Sequence, residues 1–344
     1  MNHQSEALTT GTGGSTGVKS RPPLAHRMRV LVTGGAGFIG SHLVDRLVLR
    51  RDEVVVFDNL SSGRMDFLSH HSHAVDREVR LIEGDLLDLD TVTAAMDGID
   101  FVFHLAANPD IRLGTQVTDT DLKQGTIATY NVVEAMRLAG VGRIAFASSS
   151  VVYGEADVMP TPEGYGPLLP ISLYGASKLA SEALITSWAG TFGLQVWLFR
   201  FANIVGARGT HGVIFDFIHK LRADPTSLEV LGDGRQEKAY MEVIDCAKAM
   251  LHLTEVSGEQ VNFHNLGTGD TCSVARIAEI VVQEAGLKAV DIHFTGGDRG
   301  WPGDVPKTYL EVGKLLATGF TPSYDSEQAI RHTARCLIDE IGLS

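Results

Sequence analysis

Cysteine is scarce. Cys246, Cys272 and Cys336 are the only three in 344 residues, an odd number with no C-x-x-C spacing, so neither a disulfide framework nor a zinc knuckle is indicated. That usage suits a reducing cytoplasm. Long apolar runs are missing as well: nothing approaches the roughly 18 residues that a spanning helix needs, and the first residues carry no apolar signal core. A soluble, unexported, cytoplasmic protein is the expectation, with no membrane partner. Positive charge is in deficit, because 29 Lys and Arg against 42 Asp and Glu leave a formal charge of −13. That balance repels nucleic acid and anionic lipid, and an anionic ligand would need local donors. What is present is ordinary for a globular chain: 44% apolar and 21% charged residues can build a full core without staples.

Residues 1–27 are read as a flexible N-terminal tail, because up to about residue 23 Gly, Ser and Thr dominate and cannot bury enough surface to offset ordering entropy. From Met28 the texture changes to short β-branched runs separated by helical patterns: MRVLVT, SHLVDRLVLR, EVVVFD, VRLIEGD and DFVFHLAA. The alternation continues through YNVVEAMRLAG, RIAFASSS, a helix from about Ser172 to Ala189, and LQVWLFRFAN. Continuously apolar strands between helices predict an α/β fold, a Rossmann-type doubly wound parallel sheet over 28–203. After Asn203 the pattern loosens, which predicts a smaller C-terminal substrate-binding lobe over 204–344, with a return to the sheet at VNFHNLG near 261–266. In SHHSHAVD, His70, His71 and His73 invite a metal reading, yet no Cys or carboxylate falls at ligand spacing. A solvated loop is expected there, and no metal site is assigned.

VLVTGGAGFIGSHLVDRL places a glycine cluster directly after the first strand and at the start of a helix, where backbone N–H groups and the helix dipole receive a pyrophosphate. Two patterns fit at once: Gly35, Gly37 and Gly40 as G-x-G-x-x-G, and Thr33, Gly34, Gly37 and Gly40 as T-G-x-x-G-x-x-G. Glycine alone is weak evidence, since tight turns select it. Context adds the weight. The second strand ends in VVVFD, with Asp58 24 residues after Gly34. A carboxylate there accepts hydrogen bonds from both adenosine-ribose hydroxyls and repels a 2′-phosphate, favouring NAD over NADP. Acidic residues also end strands for structural reasons alone. Two later strand ends, Asp85 with Leu86 and Leu105 with Ala106 and Ala107, offer either a wall for the cofactor or ordinary packing.

Y-G-A-S-K sets Tyr174 and Lys178 one helical turn apart on one face. A neighbouring ammonium favours phenolate, so Tyr174 is a candidate general base near neutral pH, aided by a cationic nicotinamide. Lys178 is a candidate donor to the nicotinamide ribose. Y-x-x-x-K alone is common on exposed helices. The discriminating neighbour is FASSSVVYG, which supplies the hydroxyls of Ser148, Ser149 and Ser150 at the carboxyl edge where ligands of such sheets bind.

In this order and spacing, the glycine run, Asp58, the serine-rich strand end and Tyr174/Lys178 resemble the extended short-chain dehydrogenase/reductase superfamily, and within it the UDP-sugar 4-epimerases. The resemblance runs from Met28 nearly to the carboxyl end, through HLAANPD, RFANIVG, LGDG and RGWPGD. It implies catalytic roles for Ser149, four residues before Tyr153, and for Tyr174 and Lys178. It implies cofactor contacts at Gly34, Gly37, Phe38, Ile39, Asp58, Asn59, Ser61, Gly63, Asp85, Leu86, Leu105, Ala106 and Ala107. Substrate contacts are implied at Ser149, Ser150, Asn203, Arg208, Val213, Lys238, Arg299 and Asp304. Similar 4,6-dehydratases carry Asp-Glu after the active-site Thr, and similar decarboxylases carry Glu two residues before the later Tyr. Ser150 and Val151 stand at those positions here, which leaves reversible oxidation at C4.

The resemblance thus implies NAD, a UDP-hexose substrate and a homodimer packed through the helices bearing YNVVEA and Tyr174. The chain departs from the pattern at Gly125, where the family has Asn. It departs again at Lys238-Ala239-Tyr240, where Arg-Asp precedes an aromatic, and at RGWPGD (299–304), where the family has R-P-G-D. Besides the epimerase, two readings stay open: a net NAD-dependent nucleotide-sugar oxidoreductase or dehydratase, and a catalytically silent dinucleotide-sensing module, which the Tyr/Lys pair argues against. The sugar is glucose, its N-acetylated form or glucuronate. Arg208, in the loop leaving the sheet after Asn203, is a candidate sugar-selecting residue, since a guanidinium meets a C6 carboxylate with two parallel hydrogen bonds; an arginine there would equally suit the diphosphate or simply be solvated.

Overall fold

The β-branched runs become β1 (Arg29–Thr33), β2 (Glu53–Asp58), β3 (Val79–Glu83), β4 (Phe101–His104), β5 (Arg143–Ser149) and β6 (Gln195–Phe201). Shorter strands follow: β7 (Asn203–Val205), β8 (Ser227–Val230), β9 (Glu237–Lys238), β10 (Tyr240–Glu242), β11 (Val261–Leu266), β12 (Cys272–Ser273), β13 (Asp291–Phe294) and β14 (Lys307–Thr308). The α-helices are α1 (Phe38–Leu49), α2 (Leu89–Ala95), α3 (Ala128–Ala139), α4 (Leu173–Phe192), α5 (Val213–Ala223), α6 (Val243–Val256), α7 (Val274–Glu284), α8 (Gly313–Ala317) and α9 (Ser326–Ile341). These come from a computed structural model that describes residues 27–71 and 79–343. Residues 1–26 of the expected tail, and His73, lie outside the described residues.

Seven strands pair in parallel in the order β11-β6-β5-β4-β1-β2-β3. Side chains alternate across a strand, so Val30 and Val32 enter one apolar layer and Leu31 the other. The first layer closes on α1 and α6 through Leu43, Val44, Leu47, Met250 and Leu253. The second closes on α2, α3 and α4 through Val92, Val132, Met136 and Ile185. Helix α6 lies in the stretch where the sequence pattern loosens, yet its apolar face belongs to the sheet, as does β11 beside β6. Helices α5, α7 and α9 have a core of their own, in which Ile214, Ile218 and Leu221 of α5 meet Ile277 and Val281 of α7 and Ile330, Ala334 and Leu337 of α9.

Winding runs outward from β1 in both directions, so the crevice of this doubly wound sheet opens at the carboxyl ends of β1 and β4. Buried His104, at the end of β4, fixes that point: its Nδ1 lies 2.7 Å from the Thr33 hydroxyl and its Nε2 3.0 Å from that of Thr129 on α3. Burial, helped by the charge of Lys178, pulls His104 down to about 3, so the ring is neutral. Among the described residues, no helix is long and apolar enough to cross a membrane.

One ion pair sits inside the second layer. Arg200 of β6 donates from Nε and Nη2 to the two carboxylate oxygens of Glu182 on α4, at 2.9 and 2.7 Å, with both side chains about 4% exposed. The guanidinium also covers the rings of Tyr153 and Phe263 at 4.8 and 5.1 Å. Removing one partner strands a buried charge. Arg200→Met should therefore cost about 3–5 kcal/mol, read as a fall in the urea midpoint, and Arg200→Met with Glu182→Leu should recover most of it. A single variant that unfolds like the wild type would contradict this.

Candidate active site

One cavity of about 880 Å³ runs from the end of β1 across the sheet edge to α5 and the segment Gly300–Val305. Its floor is the glycine turn. Gly34 adopts φ +70°, which glycine tolerates, and a Cβ there would stand 2.8 Å from the Ala106 backbone. A Cβ at Gly40 would stand 2.1 Å from the Gly34 carbonyl oxygen, so α1 reaches the end of β1 only because position 40 is bare. Gly34, Gly37 and Gly40 line the cavity, which selects the T-G-x-x-G-x-x-G reading of the run. Gly37 caps α1, leaving the first N–H groups of the helix without intrahelical partners at the cavity wall, where a pyrophosphate fits.

Asp58 closes this half. Its Oδ2 accepts the Ala36 N–H at 3.0 Å and its Oδ1 the Leu60 N–H at 2.9 Å. Burial pushes its carboxyl up, and those two N–H groups oppose the shift. Asn59, Ser61, Leu86, Leu105, Ala106 and Ala107 line the same wall, with Phe38 and Ile39. Gly63 and Asp85 do not. Gly63 backs Asp58, where a Cβ would meet Oδ1 at 2.7 Å, and Asp85 Oδ1 accepts the Leu87 N–H of its own turn. The residues present therefore fit a dinucleotide whose adenosine ribose meets a carboxylate.

The three serines separate by their partners. All three line the cavity with Tyr174 and Lys178, but the Ser148 hydroxyl is committed as a donor to Glu182 of the buried ion pair. Ser149 accepts the Val151 N–H at 3.4 Å, leaving its own proton free to donate. Lys178 Nζ donates to the Ala147 carbonyl at 2.7 Å and sits 5.6 Å from the centre of the Tyr174 ring. Burial draws Lys178 down to about 8, with the charges of Asp121 and Glu182 opposing. The expectation that Lys178 brings Tyr174 near neutrality needs correction: burial, then the charge of Asp121, push the phenol up instead.

Asp121 was not foreseen. It is 2% exposed, accepts the Asn108 side-chain N–H at Oδ1, and leaves Oδ2 without a hydrogen-bond partner. Its carboxyl is pushed up by burial. The π-helical turn Leu122–Ile127 follows it, and at Gly125 a Cβ would stand 2.0 Å from Ser177 Oγ, which donates to the Asp121 carbonyl. The missing Asn at 125 is thus replaced by room for a serine hydroxyl.

On the substrate side, Asn203, Val213, Lys238 and Asp304 line the cavity. Lys238 Nζ meets Asp304 Oδ1 at 2.6 Å and lies 5.3 Å from the Trp301 ring centre. His211 and Trp301, to which no site role was given, line it too; Trp301 is one of the two residues, with Gly300, by which RGWPGD exceeds R-P-G-D. Arg299 instead donates to the Asp304 carbonyl and pairs with Glu155, outside the lining. Arg208 also stands outside it: φ is +62°, its N–H is shared by the Glu340 carboxylate, and its guanidinium pairs with Asp45 at 3.0 Å. The sugar-selecting role expected of Arg208 has no support in this placement.

A model of the NAD dependent epimerase/dehydratase family matches residues 30–267. The chain is 33% identical over 307 residues to a protein of Methanocaldococcus jannaschii named putative UDP-glucose 4-epimerase, covering 88% of this chain and 96% of that one. Among solved structures it is similar to a UDP-galactose 4-epimerase, with a TM-score of 0.81 and 43% identity over 91% of this chain and 100% of that one. It is also similar to a UDP-glucose 4-epimerase of Thermus thermophilus solved in complex with NAD, at a TM-score of 0.80 and 30% identity, covering 90% and 99% of the two chains.

Two outcomes follow for the cofactor half. Asp58→Ala should weaken NAD about tenfold or more and relax discrimination against NADP, measured as dissociation constants; a wild type that prefers NADP would refute the assignment. Lys178, lowered to about 8, is charged below that pH and loses its proton as pH rises through it. The NAD affinity of the wild type should therefore fall from about pH 7 to about pH 9, while that of Lys178→Met is weak and flat. A flat wild-type profile would remove Lys178 from cofactor binding.

Proposed function

Because the chain belongs to the NAD-dependent epimerase/dehydratase family, we propose that it is a UDP-hexose 4-epimerase acting through a transient 4-keto sugar. The observation that carries this reading is the meeting of Ser149, Tyr174 and Lys178 with the Asp58 wall in one cavity, with Ser150 and Val151 following Ser149 where an eliminating enzyme needs carboxylates. The glycine turn and Asp58 would hold NAD, whose nicotinamide would supply reversible hydride acceptance at C4.

The rest is work for the chain's own groups. Tyr174 takes the proton of the C4 hydroxyl and later gives it back. Its raised pKa keeps the phenol protonated, so the proton is in place for the return step, and a cationic nicotinamide ring would offset the rise when the base form is needed. Ser149, with its hydroxyl proton uncommitted, hydrogen-bonds the C4 oxygen in both states. Lys178, anchored by donating to the Ala147 carbonyl at the strand end, would also donate to a ribose hydroxyl of the cofactor. Lys238 and Asn203 hold the diphosphate while the keto sugar turns over to present its other face. Lys238 does so as a point charge, with Asp304 fixing its direction.

We favour a neutral hexose, UDP-glucose/UDP-galactose or its N-acetylated form, over UDP-glucuronate, since the guanidinium that would match glucuronate is engaged by Asp45. We propose a homodimer as well: α3 and α4 expose Tyr130, Leu138, Leu173 and Phe192, with Trp188 set edge-on against Tyr130 at 5.9 Å. A second copy of this face would cover them. The cytoplasmic reading rests on the cysteine usage.

Incubation with UDP-glucose, UDP-N-acetylglucosamine and UDP-glucuronate, read by NMR, tests the reaction and the sugar together. Inversion at C4 is expected, with a deuterium label retained on C4. A 4-keto-6-deoxy product would mean dehydration, net NADH release an oxidoreductase, and no turnover of any sugar a silent module. Tyr174→Phe should lower turnover by roughly 10² to 10⁴ with little change in binding, and near-normal activity would remove it from the chemistry.

A further inference from the structure

Away from the cavity, α1 and the short turn Ser69–His71 bring together three donor atoms that the proposed chemistry does not use. The carboxylate that sequence spacing failed to supply for the histidines comes from Asp45 on α1, 25 and 26 residues earlier. Its Oδ1 lies 2.8 Å from His70 Nε2 and 2.7 Å from His71 Nε2, and the three atoms fall within 4.8 Å of one another. The two rings stand 3.9 Å apart, tilted by 43°, so both nitrogens meet at one oxygen.

We propose that Asp45, His70 and His71 form a site for a zinc-type transition-metal dication. Two imidazole nitrogens and one carboxylate oxygen suit Zn²⁺, Co²⁺ or Ni²⁺ and not Mg²⁺ or Ca²⁺, which take oxygen. Tetrahedral bonds of about 2.0–2.1 Å would set the donors about 3.3 Å apart, so the cluster must open by about half an ångström. The His70 side chain, 47% exposed, has the freedom to make that movement. The other oxygen of Asp45 is held by Arg208 at 3.0 Å, an outer partner of the kind that ligating carboxylates keep. The guanidinium repels a dication, but the carboxylate stands between them.

None of the three residues lines the cavity, which makes the ion a clamp and not a reactant. It would join α1 to the turn after β2 and, through Asp45 and Arg208, to the loop 206–212 that borders the cavity.

The test uses untagged, chelator-treated full-length protein titrated with Co²⁺ and separately with Zn²⁺, with Mg²⁺ as the control. The expected result is about one equivalent bound, visible ligand-field bands for Co²⁺, and a melting temperature raised by about 2 °C or more at saturating Zn²⁺. His70→Ala with His71→Ala should abolish all three with an unchanged circular dichroism spectrum, and the milder His70→Gln should weaken binding about tenfold or more. No binding at about 0.1 mM Zn²⁺, or equal binding by wild type and both variants, would overturn the proposal.

Discussion

The close approach of α1 to β1 is the constraint on which the rest of the site depends. With a hydrogen at position 40, the helix starts directly over the Gly34 carbonyl, and its unpaired N–H groups open onto the cavity. That same placement lets Asp58 reach back to the Ala36 N–H, linking the tip of β2 to the turn after β1. On the other flank His104 links β1 to β4 and α3, so the floor of the crevice is tied on both sides before any ligand arrives. Preorganisation of this kind lets short, bare backbone serve as a binding surface, because little order remains to be imposed.

What the sequence made legible was what depends on local repetition. Alternating apolar runs and helical periods announced a doubly wound parallel sheet, and the carboxyl ends of β1, β2, β4 and β5 carried the glycines, Asp58, Ala106 and the serines that a ligand at such an edge needs. The strand at 261–266 was visible too. Helix α6 was not assigned to the sheet, because an amphipathic stretch after an irregular segment does not say which core its apolar face will enter.

Side-chain direction was the other blind spot. Arg208 stands five residues beyond Asn203, and sequence distance made it a neighbour of the sugar; its left-handed backbone and the carboxylates of Asp45 and Glu340 turn it to α1 and α9. Asp121 could not be found by pattern, since its importance lies in a buried, half-satisfied carboxylate next to the Tyr174/Lys178 couple. Among the three serines of FASSSVVYG, only the resemblance singled out Ser149; the residues themselves did not. The buried Glu182–Arg200 pair, assembled from α4 and β6, supplies the physical difference between Ser148 and Ser149.

The bare position at 125 has an evolutionary corollary. Any side chain there meets Ser177, whose Oγ stands 2.0 Å and whose Cβ stands 3.2 Å from where the new Cβ would lie. Acquiring asparagine at 125 therefore requires the Ser177 hydroxyl to swing away, which leaves the Asp121 carbonyl without that donor. The two positions are therefore coupled: what a side chain at 125 costs depends on where the group at 177 can go.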